Sequence, residues 1–263
     1  MVNFHVRESY QVADLRDLIA LLRSAEGCPW DREQTHESIR RNFIEEAYEA
    51  CEAIDSGDTA LLCEELGDVL TQVMFHARIE EEKGRFTLDD VADVTCKKLI
   101  FRHPHIFGDT KVADSKAVME NWDELKRREK HYETVAAAME GVAKSLPATW
   151  RAEKVQAKAA KVGFDWPDAL GAMDKLDEEL EELKEAIREG VGLEEEVGDL
   201  LFSVINVARL LGIDPETALH QTSDKFIRRF AYLEQAAADR GEILTDMTLD
   251  EMESLYQEGK GRL

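Results

Sequence analysis

ELGDVLTQVMFHARI at residues 65–79 and EVGDLLFSVINVARL at residues 196–210 decide the fold. Set on one another without a gap, they share seven identities in fifteen positions, where average composition gives about one by chance. Each opens with an acidic pair three residues apart, Glu65 with Asp68 and Glu196 with Asp199, and runs on as apolar residues at helical spacing. One helix occurring twice in 263 residues points to two domains copied from one ancestor.

The same order of elements recurs around both copies. In the first half the spacing predicts helices near 12–25, 38–54 and 59–82, then one opened by a Thr87/Asp90 capping box that must end before Pro104, and another around Trp122. In the second half it predicts helices near 149–161, 170–188 and 193–211, a long one capped by Asp214 with Pro215 in its first turn, and a last one behind Thr248 and Glu251. GCPWD (27–31) and GFDWP (163–167) read as equivalent loops whose Trp30 and Trp166 plug the core. Only five prolines and 15 glycines interrupt these patterns. The fold class expected is all-α: two tandem repeated helical domains, 1–135 and 136–263, joined within HYETVAAAMEGVAKSLP (131–147) and forming sites like those of four-helix bundles.

Composition narrows the function classes. Fifty-six acidic residues against 33 basic ones give a formal charge of −23, which repels the backbone of DNA or RNA and an anionic membrane surface. A small anionic ligand stays possible, because a bound divalent cation reverses the local field. The chain lacks a basic start followed by an apolar run, and lacks a stretch of about 18 apolar residues, so a cytoplasmic protein is expected. Cys28, Cys51, Cys63 and Cys96 are widely spaced, with no CxxC to suggest zinc, and are expected to be buried or inert thiols.

Each half carries two acidic clusters on consecutive helices: EEAYE (45–49) then EELGD (64–68), and EELEE (178–182) then EEEVGD (194–199). Helical spacing puts Glu46 with Glu49, and Glu65 with Asp68, on single faces; packed antiparallel, the two pairs can meet. The second-half group is Glu179, Glu182, Glu196 and Asp199. In so acidic a chain one Glu-x-x-Glu is mostly a solvated face, but four clusters in the same order and spacing are not. Asp68 and Asp199 also run straight into apolar stripes, and a carboxylate entering a core needs a partner. Four hard oxygen ligands without Cys or His suit Mg²⁺, with Mn²⁺ as a possible substitute.

The pattern EExxE, a gap, then ExxD resembles the signature of the MazG family of all-α nucleoside triphosphate pyrophosphohydrolases. GCPWD (27–31), RHPHIF (102–107), LPA (146–148) and GFDW (163–166) extend the resemblance over the whole two-repeat chain. It implies Mg²⁺-dependent hydrolysis of NTPs and dNTPs between the α- and β-phosphates, with broad base specificity and a homodimeric assembly. It places metal ligands at Glu179, Glu182, Glu196 and Asp199, and at Glu46, Glu49, Glu65 and Asp68. Nucleotide contacts fall on Lys225 and Arg229 in KFIRRF (225–230), on Lys98 and Arg102 in the first repeat, and on the aromatic positions Tyr256 and Trp122, where Tyr256 stands in for the family's Trp and would still stack on a base. Glu178 or Glu45, beside the ligands, stands where a proton acceptor is needed, and Glu178 and Glu179 are the catalytic candidates. The sequence departs from the family at one phosphate contact, a lysine four positions ahead of the ExxD glutamate, where it has Gly192 and Leu61. The KFIRRF of the second repeat makes that repeat the principal site.

Other phosphate chemistries fit less well. A GxxxxGK[ST] loop is absent, and Glu-x-x-His, needed twice for a di-iron bundle, occurs once at Glu33–His36. The competing reading is a non-catalytic acidic helical module that binds nucleotides or another protein.

Overall fold

In the computed structural model, residues 4–108 and 132–261 are described, together with Asp114, Val118, Trp122, Leu125 and Glu129. Among these residues the secondary structure is entirely helical, and the chain divides into two compact units, Met1–Lys126 and Arg127–Leu263. The helix expected around Trp122 falls in a stretch that lies mostly outside the described residues.

The first unit contains α1 (Val12–Leu22), α2 (Pro29–Glu33), α3 (His36–Ser56), α4 (Thr59–Glu82), α5 (Leu88–Arg102) and α6 (Pro104–Phe107). Helices α3 and α4 form a hairpin. Gly57 ends α3 in the left-handed conformation (φ +70°), and the Asp58 side chain accepts from the backbone N–H groups of Ala60 and Leu61 to start α4. Helix α1 packs on α4, so Ile19 joins Ile39, Met74, Phe75 and Ile79 in one buried cluster.

The second unit repeats the plan with α7 (Val135–Glu140), α8 (Ala148–Ala160), α9 (Ala169–Glu189), α10 (Leu193–Leu210), α11 (Pro215–Asp239) and α12 (Leu249–Lys260). Its hairpin is α9 and α10, and α8 packs on α10 as α1 does on α4. Helices α11 and α12 close on a second core of Leu233, Ala237 and Leu255. The expected capping boxes are formed, Thr87 with Asp90 and Thr248 with Glu251, and Asp214 caps α11 through the Glu216 N–H.

Three local expectations are corrected. GCPWD is not wholly a loop: Pro29, whose ring presets a helical φ and whose missing N–H costs nothing at a first position, opens α2. Trp30 and Trp166 do not plug the core, being 64% and 41% exposed. Of the thiols expected to be buried or inert, Cys51, Cys63 and Cys96 are not buried but exposed and free.

Candidate metal centre

The hairpins bring the acidic clusters together. In the first unit, α3 supplies Glu46 and Glu49 and α4 supplies Glu65, with carboxylate oxygens that all lie within 4.8 Å of one another. In the second, α9 supplies Glu179 and α10 supplies Glu196 and Asp199, again within 4.8 Å of one another. The fourth member of each set stands close by. Asp68 acts electrostatically on both Glu46 and Glu65, and Glu182 is hydrogen-bonded to Glu179.

Crowding of like charges marks both groups. Burial pushes the Glu46 carboxyl above its ordinary range, and the charge of Asp68 and the Glu49 side chain push it the same way. Glu65 is raised by burial and by Glu49 and Asp68, and Glu182 by burial and by Glu179. Helices that hold three carboxylates this close, with Glu179 itself buried, gain from a positive partner. All the donors are hard oxygens, so the residues fit a hard divalent cation.

One residue at this site escaped the sequence reading. Lys175 Nζ lies 2.8 Å from Glu178 Oε1 and 2.8 Å from Glu179 Oε1, and these bonds hold the ammonium above its ordinary range. Lys175 precedes Glu179 by one helical turn, a spacing that carried the signal. Asn42 takes this position in the first repeat, so the two centres differ. Glu178, next to Glu179 in sequence, is exposed and accepts a hydrogen bond from Lys175.

The basic and aromatic positions also pair, and in the same way in both units. Arg102 lies over the Trp122 ring at 5.3 Å, and Arg229 over the Tyr256 ring at 5.9 Å. Phe226 and Lys260 also approach Tyr256, at 5.7 Å and 5.8 Å. Lys98 and Lys225 share a helix face with these arginines. His103 closes α5, its Nδ1 2.6 Å from the Leu99 carbonyl oxygen.

Fold and site together define an all-α protein of two repeats, each converging carboxylates from a helical hairpin on a cation-sized space. The MazG nucleotide pyrophosphohydrolase domain matches twice, at residues 34–107 and 169–232, spans that contain both carboxylate groups and KFIRRF. The chain is 43% identical over 248 residues to the nucleoside triphosphate pyrophosphohydrolase/pyrophosphatase MazG of Thermotoga maritima, covering 94% of this chain and 95% of that protein. It is 40% identical over 255 residues to the nucleoside triphosphate pyrophosphohydrolase of Escherichia coli, covering 95% and 97%. An uncharacterized Bacillus subtilis protein, YabN, is 46% identical over 254 residues, which make up 52% of its length. The chain therefore belongs to the MazG nucleotide pyrophosphohydrolase family, enzymes that hydrolyse phosphoric anhydrides.

Proposed function

We propose that this enzyme hydrolyses NTPs and dNTPs between the α- and β-phosphates, releasing NMP and pyrophosphate, with Mg²⁺ as its cation and little preference among bases. The duplicated carboxylate centre carries this reading, since a module that only bound protein would not need oxygens converged within 4.8 Å in both repeats. Glu179, Glu182, Glu196 and Asp199 would hold the cation in the second repeat, and Glu46, Glu49, Glu65 and Asp68 in the first. When bound, it supplies positive charge to the phosphate oxygens and acidifies the attacking water.

The chain's own residues do the rest. Glu178, beside the ligands, takes the water's proton. Lys225 and Arg229 stabilise the charge that develops on the departing pyrophosphate, with Tyr256 fixing the Arg229 guanidinium from below. Lys98, Arg102 and Trp122 repeat that arrangement in the first unit. Lys175, already in contact with the acidic cluster, offers the second repeat a further cation for a phosphate, which favours it as the principal site.

Apolar residues left exposed on the hairpins, Leu180, Ile187, Val197 and Leu201 in the second unit and Ile44, Tyr48 and Leu66 in the first, support pairing into four-helix bundles within a homodimer. Among the described residues no helix is long and apolar enough to cross a membrane, and the free thiols suit a reducing cytoplasm.

The test is incubation with each NTP and dNTP in magnesium, with products separated by ion-exchange chromatography. NMP with pyrophosphate, abolished by EDTA and restored in part by Mn²⁺, is the expected result. NDP with orthophosphate contradicts the assignment of the cleaved bond, and no turnover favours the binding-module reading.

A further inference from the structure

The two hairpins differ at their open ends. In the first, His36 begins α3 and His76 lies late in α4, and their Nδ1 atoms are 2.6 Å apart. The ring centroids are 4.9 Å apart and the ring planes differ by 8°. Nitrogens this close cannot belong to rings stacked face on at that separation; the rings meet edge to edge in nearly one plane, as an N–H···N hydrogen bond requires. On its other side His36 Nε2 lies 2.5 Å from Glu80 Oε1, so that nitrogen carries a hydrogen. This clasp and the Gly57 turn bracket the four carboxylates of the first unit.

The second hairpin meets the same positions with apolar residues. Ala169 begins α9 as His36 begins α3, and in the register that sets Glu65 on Glu196, Val207 and Leu211 replace His76 and Glu80. A hairpin of this plan therefore closes without histidines, and closure alone does not account for the pair.

We infer that His36 and His76 form an acid-sensitive clasp, closed while one proton lies between the rings and opened when both Nδ1 atoms are protonated. Acid then loosens the hairpin that holds the first carboxylate group and spares the second hairpin. With a proton on each Nδ1, N–H faces N–H, the bond is lost and two cations stand side by side. Glu80 offsets part of this charge but is already shared with Lys83 and Arg85. Glu37, the next residue on α3, feels the charge of both His36 and Lys83. Of the flanking helices, α1 brings Arg23, which is held by Glu82, and α5 brings Asp90, which is held by Thr87. Phe43 stands perpendicular to the His76 ring at 5.6 Å. Burial, and then His36, hold His76 below its ordinary value of 6.5. The folded chain thus takes up this proton less readily than the unfolded chain, so the contribution of the clasp is full above 6.5 and is lost as pH falls below it. Glu46 and Glu65, whose raised carboxyls take up protons as pH falls toward 4.5, act in the opposite direction by shedding repulsion.

The experiment is amide hydrogen exchange of the full chain, read by mass spectrometry at pH 7.5 and 5.0 without magnesium and corrected for the pH dependence of unprotected amides. Both values lie above the range in which Glu80 titrates. Protection of the first two turns of α3 is expected to fall about tenfold at pH 5.0, the order expected when one partly buried hydrogen bond is lost, while the matching turns of α9 hold theirs. His76→Asn, whose amide can donate from the Nδ1 position but takes no proton, should remove the pH dependence. Unchanged protection of α3, an equal fall in α3 and α9, or a fall that persists in His76→Asn overturns the inference. Should His76→Asn already lose protection throughout the first unit at pH 7.5, the imidazole nitrogen spectra of the wild type decide. Nδ1 signals of the two rings that change together and show both protonated at pH 5.0 support the clasp, and two rings that titrate independently overturn it.

Discussion

At the scale of single residues, the carboxylates of the two centres are held against their own charge. A carboxyl raised by its surroundings favours the protonated form in the fold, so its ionisation destabilises the fold as pH rises from 4.5 through the raised value. Glu65→Gln should therefore raise the thermal midpoint of the metal-free protein at pH 7 while shrinking the further rise that magnesium brings. Scanning calorimetry with and without magnesium checks this, and a midpoint that falls without metal would contradict it. Glu178 carries a separate prediction. If it accepts the water's proton, Glu178→Gln lowers kcat about 10²-fold or more, with little change in KM. Full turnover at saturating magnesium would remove the role. The clustering of the carboxylates was legible in the sequence because helical spacing alone puts Glu46 with Glu49, and Glu196 with Asp199, on one face. Lys175 was passed over, although its place one helical turn before Glu179 carried the signal.

At the scale of elements, the first unit has a polar clasp between α3 and α4. His36 Nδ1 and His76 Nδ1 lie 2.6 Å apart, His36 Nε2 lies 2.5 Å from Glu80 Oε1, and Arg85 and Lys83 complete the ring around that carboxylate. Led by the His36 hydrogen bond, these contacts hold Glu80 at about 2, down from 4.5. A depressed carboxylate contributes stability that is full above about 4.5 and lost as pH falls toward 2. Urea midpoints measured across that window should drop steeply for the wild type and more gently for Glu80→Gln. Parallel curves would show that the clasp adds nothing. Helix positions were readable because the apolar periodicity was long and the caps explicit: Thr59–Glu82 was placed to the residue, and Asp214 and Thr248 start helices as expected. The clasp was not readable. His36 and His76 are 40 residues apart, and only the folded hairpin brings them together. Helix α2 was missed for a different reason: at five residues it is too short to show a period, and only Pro29 announced it.

At the scale of the whole molecule, duplication supplies two centres that are not equivalent. The second has Lys175 on Glu179; the first has Asn42 and the histidine clasp. The exposed apolar positions on both hairpins predict self-association. Sedimentation velocity at micromolar concentration should give a dimer, and Leu201→Arg, which puts a charge on the α10 face, should shift it toward monomer. A wild-type monomer would count against the bundle. With a formal charge of −23, attraction for an anionic substrate must come from local positive charge, which under the proposed function Lys175, Lys225, Arg229 and a cation held by the carboxylates would supply.

The most direct measurement compares pyrophosphate release from ATP in saturating magnesium by the wild type, Glu196→Gln and Glu65→Gln. Loss of a cation ligand should cost at least about 10²-fold, since the ion contributes several kcal/mol to the barrier. Glu196→Gln should fall by that factor while Glu65→Gln keeps most of the rate. Full activity in Glu196→Gln would contradict it.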